Sequence, residues 1–149
     1  MSKYIFDDTH INWQKFGEFD NFRYCILDID QANKVIDVIF KFAANDPIFL
    51  HRHCALNHTF VIHGEHHLYH ANGELKEIRP VGSYKTSPAD ITPHRESGGD
   101  EGTIVLFSIR GTEGVMYEIL DDDQNILAAL GMQDFINLYE MNNQLVETA

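Results

Sequence analysis

The chain has 149 residues, 44% hydrophobic and 23% charged, which suits one soluble globular domain with a sizeable core. Its formal charge of −12, from 23 acidic and 11 basic residues, repels phosphate backbones and anionic lipid, so neither nucleic acid nor a membrane is expected as a partner. No apolar run approaches the ~20 residues that cross a bilayer. The opening MSKYIFDDTHINW lacks the apolar segment of a secretory signal, so a cytoplasmic location is the default. Cys25 and Cys54 are too few for a disulfide framework and are expected as free thiols.

In chain order, residues 22–29 (FRYCILDI) predict a strand, and residues 30–33 a turn. Residues 34–43 predict a half-buried strand, with Ile36, Val38, Phe40 and Phe42 on one side and Asp37 and Lys41 on the other. Asn45-Asp46-Pro47 ends it. Short strands follow at 49–53 and 58–63, with a tight corner at Gly64-Glu65. Residues 68–70 and 75–78 flank Asn72-Gly73 and predict a hairpin. Residues 80–102 hold three of the four prolines and four glycines, and predict a loop-rich stretch. Strands are expected at 103–109, 115–120 and 126–130, the last two joined by a turn, and a terminal helix over 133–145. Many short strands with Gly, Asn and Pro turns argue an all-β sandwich or barrel. The α/β alternative needs helical periodicity between strands, and none is found.

Histidine is the unusual residue: there are nine, and seven fall between His51 and His70. His51 and His53 stand at i and i+2, so on a strand both imidazoles point to one face. If that face is the barrel interior, two nitrogen ligands converge there. His94 is the best candidate for a third. Three imidazoles would leave coordination positions open, the mark of a catalytic rather than a structural metal site. The plain alternative is a surface strand whose histidines face water. The apolar triplet Ile48-Phe49-Leu50 before the pair, and Thr59 to Gly64 after it, weigh against that.

The run HRHCALNHTFVIHGE resembles the first motif of the cupin superfamily, with Gly64 at the right distance from His53. GSYKTSPADITPH resembles the second motif through Gly82, Pro88 and His94, with one extra residue between the proline and the histidine. With the segment GTEGVMYEILDDDQNILAALGMQDF, the chain resembles the acetylacetone-cleaving (β-diketone) dioxygenase-like branch over roughly residues 35–135. The resemblance implies a cupin double-stranded β-helix (a jelly-roll barrel) spanning 1–149, with residues 1–20 as an N-terminal extension and 133–149 as a C-terminal tail carrying a short helix. Two departures matter. Asn57, with His58 beside it, stands where the superfamily carries a Glu ligand, which agrees with the three-His site of that branch. Asn45 stands near the position of a usual glycine, and Asn tolerates the left-handed backbone.

The resemblance further implies one divalent metal ion on His51, His53 and His94, with Fe(II) favoured and zinc, nickel or copper also suited to imidazoles. His58 and Asn57 stay open as a fourth ligand or as supporting residues. The implied reaction is oxygen-dependent cleavage of a carbon–carbon bond in a β-diketone-like small molecule. A zinc-dependent hydrolase and a non-catalytic small-ligand or metal sensor are the alternatives. No catalytic acid or base stands out, since Glu65 and Glu96 read as solvated as readily as functional. Of adjacent His66 and His67, at most one can line a site. His10, His63 and His70 read as surface or rim, and Cys54 as a small core residue pointing away from the metal. A homodimer through edge strands is expected by resemblance.

Overall fold

The structure, a computed structural model, describes residues 4–111 and 114–148. Thr112 and Glu113 of the segment beginning at Gly111, the first three residues of the N-terminal extension, and Ala149 lie outside the described residues. The described chain forms nine strands in one curled antiparallel sheet, followed by a helix.

Strands β1 (Phe22–Asp30) and β2 (Val35–Phe42) make the first hairpin, in register from Phe22↔Phe42 to Asp30↔Val35. The alternation in β2 buries Ile36, Val38 and Phe42 and leaves Lys41 outside, as a period of two requires. Next come β3 (His51–His53), β4 (Leu56–His70), β5 (Leu75–Arg79), β6 (Tyr84–Ser87) and β7 (Asp90–Arg110). Strands β8 (Val115–Leu120) and β9 (Ile126–Gly131) then lead into α1 (Met132–Thr148).

The long strands β4 and β7 give the sheet its curl. The first part of β7 pairs with β3 and with the end of β4, as in His51↔His94 and His70↔His94. Its second part pairs with β2 and with the start of β4, from Val35↔Arg110 to Leu56↔Arg110. Both strands therefore run through two halves of the sheet and bend between them. Register shifts in β4 at Val61/His63 and Gly64/His66 mark the bend. Bulges add local twist and curvature to a sheet, and here they fold the two halves over one interior. Ile36, Val38, Val61, Val105, Phe107, Ile109 and Met116 fill it.

Helix α1 packs Phe135 into this core, with its ring 6.1 Å from that of Tyr117. The Asp134 carboxylate accepts the Gly131 N–H at 2.8 Å, which satisfies a backbone donor left free at the helix start. Phe16, from the N-terminal extension, packs against the core beside Phe22, Tyr24 and Phe49. No described helix is long and apolar enough to cross a membrane.

Two sequence expectations are corrected. Residues 80–102 are mostly strand: β6 and the first half of β7 lie there. Pro93 is accommodated because β7 bulges opposite β3, with His51 paired to His94 but His53 to Asp90. A proline within a sheet needs such a place, since it has no N–H for the ladder. Gly64-Glu65 is not a chain reversal but the bend inside β4, with Gly64 at φ 69°.

Candidate metal centre

His51 and His53 lie at the two ends of β3, and both are buried, as alternation places them. The antiparallel pairing of β3 with β7 sets His94 directly across from His51. Two residues further along β7, Glu96 projects to the same side and is 3% exposed. His51, His53, His94 and Glu96 offer ligand atoms that all lie within 4.8 Å of one another. The carboxylate oxygen Oε2 of Glu96 stands at the middle. It is 2.8 Å from His51 Nε2, 3.7 Å from His94 Nε2 and 3.8 Å from His53 Nε2. Cis and trans ligands of a metal bound at ~2.0–2.2 Å stand about 3 to 4.3 Å apart, so the cluster fits a single ion with small adjustments.

The hydrogen-bond inventory supports the fit. His51 Nδ1 lies 3.0 Å from the Phe49 carbonyl oxygen, an acceptor only, so that nitrogen carries the proton. In a neutral ring the Nε2 of His51 then presents a lone pair to a carboxylate oxygen at 2.8 Å. Two acceptors that close need a cation between them, a proton or a metal ion. The Nε2 atoms of His53 and His94 are buried and have no hydrogen-bond partner, which is costly unless something binds them. Glu96 has only histidines as ion-pair partners among the described residues. A buried carboxylate without a lysine or arginine calls for another positive charge.

Burial pushes the Glu96 carboxyl up, but contacts from His51, His53, His66 and His94 outweigh it and hold the group well below the usual carboxylate range. Burial pushes His53 down to about 3, against the pull of Glu96. It pushes His94 down as well; Glu96 opposes this, while the charges of His51 and Lys76 add to it. The Tyr117 hydroxyl is raised well above its ordinary value by burial and then by the Glu96 charge.

These directions predict an acid-sensitive fold in the metal-free protein. Between its ordinary 6.5 and about 3, His53 takes up a proton when unfolded but not when native, so stability falls as pH falls. By pH 5 the loss from His53 alone is about 2 kcal/mol. The stabilising contribution of Glu96 is present above its ordinary 4.5 and is lost as pH falls through its lower folded value, so both groups act in one direction. Urea midpoints measured at pH 7 and pH 5 should show the fall, and equal midpoints would refute it.

Around the four donors stand supporting residues. His66 is fully buried and sets its Nε2 2.8 Å from Glu96 Oε1, holding the carboxylate by its other oxygen. Its ring stacks on Phe42 with centroids 5.7 Å apart. The Tyr117 ring lies edge-on to His53 at 4.8 Å, and its hydroxyl donates to Asn57 Oδ1 at 3.0 Å. Asn57 is therefore buried beside the cluster and tied to Tyr117 and the Ala55 carbonyl. His58 points to the other side of β4, where its Nδ1 meets the Tyr84 hydroxyl. Of the two, Asn57 lies on the buried side of β4 and His58 on the side that carries Tyr84.

Glu96 and His66 are the residues that sequence reasoning undervalued. Glu96 reads as solvated only while residues 80–102 read as loop. Once His94 is on a strand, the i, i+2 rule that paired His51 with His53 also pairs His94 with Glu96. His66 shares its face with buried Leu68, a signal that was present. His67 turns outward to Glu65 at 3.1 Å. His63 is half-buried and His70 exposed. Cys25 and Cys54 are free, and the Cys54 thiol points to Glu118 Oε1 at 3.5 Å.

The cluster separates two cavities. One is small, about 70 Å³, and apolar. It reaches His51, His53 and Glu96 and is closed by rings such as Phe16, Phe49 and Phe135. The other, about 270 Å³, has a mixed polar and apolar lining and reaches His53, His94 and Glu96 from the side of β5 and β6.

No family model matches the sequence, and no curated protein matches it. Solved structures do match. An RmlC-like cupin from Ralstonia eutropha superposes with a TM-score of 0.72 at 16% identity, over 97% of this chain and 89% of that one. An acetylacetone dioxygenase from Acinetobacter johnsonii gives 0.67 at 14% identity, over 95% and 93%. A polyketide cyclase from Streptomyces resistomycificus gives 0.56 at 20% identity, over 74% and 80%. Neighbours with different activities share the architecture, and fold alone does not assign a reaction. The curled antiparallel sheet, the histidine-bearing interior and these superpositions together establish that this chain has the cupin fold.

Proposed function

We propose that this protein is a mononuclear metal-dependent dioxygenase that cleaves a carbon–carbon bond of a β-diketone-like small molecule. His51, His53, His94 and Glu96 would hold one divalent ion, Fe(II) by preference. The observation that carries the reading is the convergence of three imidazole nitrogens on one buried carboxylate oxygen, with two of those nitrogens unpartnered. Imidazole with a carboxylate suits non-haem iron, and these protein donors alone would not fill its coordination shell. The acetylacetone dioxygenase among the structural neighbours agrees with this chemistry.

A metal held by these residues would supply Lewis-acid stabilisation of the diketone's enolate and the redox chemistry with dioxygen. The chain's own residues do the rest. The Phe49 carbonyl fixes the ring orientation of His51. His66 fixes the carboxylate plane of Glu96. Such partners of metal ligands set geometry and ligand basicity. Phe107 and Leu68 line the larger cavity next to the cluster, where an apolar wall limits water at the reacting atoms.

The deciding measurement is oxygen uptake by Fe(II)-loaded protein with a panel of β-diketones, alongside the same protein loaded with Zn(II). Uptake with iron and none with zinc is the expected result. Hydrolysis of the diketone with zinc and without oxygen would replace the dioxygenase by a hydrolase. Tight ligand binding without turnover under either metal would make the protein a sensor.

A further inference from the structure

The larger of the two cavities at the cluster carries information about the substrate that the metal cluster does not. We propose that Arg79 and Lys76 bind a carboxylate of the substrate, so that the molecule held at the cluster is an anionic keto compound rather than a neutral diketone. This rests on the metal-centre reading above and specifies its substrate class.

Both cations line the cavity that reaches His53, His94 and Glu96. Their placement runs against the bulk charge of −12, which repels anions. Strict alternation would put residues three apart on opposite faces of β5. The β4–β5 ladder avoids this with a bulge: Leu68 pairs with Glu77 and Tyr69 with Leu75, leaving Lys76 as the extra residue. Bulges re-aim side chains next to functional sites, and this one lets Lys76 line the same cavity as Arg79.

Arg79 is held from behind. Its Nη1 donates to Thr59 Oγ1 at 3.2 Å and its Nη2 meets Glu77 Oε2 at 3.2 Å, while its Nε is buried with no partner. The side chain is 11% exposed. Glu77 does not belong to Arg79 alone, since Lys85 Nζ lies 3.7 Å from its other oxygen. Asp90 and Glu96 are the acids that line this cavity. With a divalent ion held at the cluster, the charges of Lys76, Arg79, Asp90 and Glu96 leave the cavity net positive. Asn57, Thr59, Thr86 and Ser87 add hydrogen-bonding groups beside the apolar Leu68 and Phe107. A wholly apolar ligand would strip water from these groups without replacing its hydrogen bonds. A ligand with a carboxylate would instead give the guanidinium and ammonium an acceptor.

The test uses the full chain loaded with Zn(II), so that no turnover intervenes, with metal content measured for every variant. Two probes are titrated calorimetrically. One is succinylacetone, a β-diketone whose chain ends in a carboxylate. The other is the neutral β-diketone of the same skeleton, with a methyl in place of that carboxylate. The native protein should bind succinylacetone at least about tenfold more tightly. Arg79→Gln should erase this preference and leave the neutral probe within about twofold, at unchanged zinc content. Lys76 is exposed, so Lys76→Gln leaves the fold alone and should reduce the preference several-fold. Equal affinity of the native protein for the two probes, or a preference that survives both substitutions, overturns the proposal. A chain that holds no zinc overturns the metal reading, and the proposal with it. Zinc held with neither probe bound overturns the proposal alone.

Discussion

His51→Ala and His94→Ala are each expected to abolish stoichiometric metal binding, whereas His58→Ala is expected to retain it. His51 and His94 face one another across β3 and β7 and both reach the Glu96 oxygen. Removing either leaves a buried carboxylate with fewer donors and no replacement charge. The chain should fall from about one ion to below about a tenth of an ion per chain under the same loading, because each ligand contributes a large part of the affinity of such a site. His58 meets Tyr84 on the outer face, so its loss removes a histidine without touching the cluster. His66→Phe keeps an apolar ring against Phe42 but frees Glu96 Oε1, and should weaken metal affinity by about 10–100-fold. Elemental analysis after gel filtration, with circular dichroism to confirm folding, reads all four variants. Retained metal in both His51→Ala and His94→Ala would sink the ligand assignment.

A second large effect is expected at the bend of the sheet. Gly64 has φ 69°, and a Cβ placed on it would lie 2.0 Å from the Gly102 carbonyl oxygen and 3.0 Å from its carbonyl carbon. The obstacle is backbone, so no side chain can swing away. Gly64→Ala should therefore destabilise the fold by about 4 kcal/mol or more, combining left-handed strain with overlap. In a chain of this length that lowers Tm by roughly 10 °C or more. Gly73 provides the control. It also has positive φ, 91°, but a Cβ there meets nothing within 4 Å. Gly73→Ala should lose only about 1–2 kcal/mol, the cost of the left-handed conformation itself. Thermal melts of the two variants measure the overlap by difference. Equal losses would mean that β4 and β7 do not approach as closely as the bend requires.

The sequence by itself determined the elements whose chemistry is local. Alternation in residues 34–43 and the Asn72-Gly73 turn set a strand and a hairpin that the structure reproduces. The i, i+2 spacing was enough to place His51 and His53 on one face, because strand periodicity needs no partner. The all-β class followed from the turn residues between apolar runs, and the resemblance in the two motifs pointed to the fold that the superpositions establish.

Only the tertiary structure decided what depends on pairing. Prolines and glycines made residues 80–102 read as loop, yet β7 begins at Asp90 and runs through the rest of them, because a bulge absorbs Pro93 and Gly98 and Gly102 lie where the backbone packs closely at the bend. Glu96 therefore could not be separated from a solvated glutamate until β7 was known to be a strand. The pairing of His51 with His94, residues 43 positions apart in the numbering, is a matter of register, which local propensity does not encode. The same holds for His66, whose partner Glu96 comes from the neighbouring strand, and for Lys76, which reaches the cavity through a bulge. Side-chain types and spacings are written along the chain, but which of them meet around one point is fixed when strands pair and the sheet closes over them.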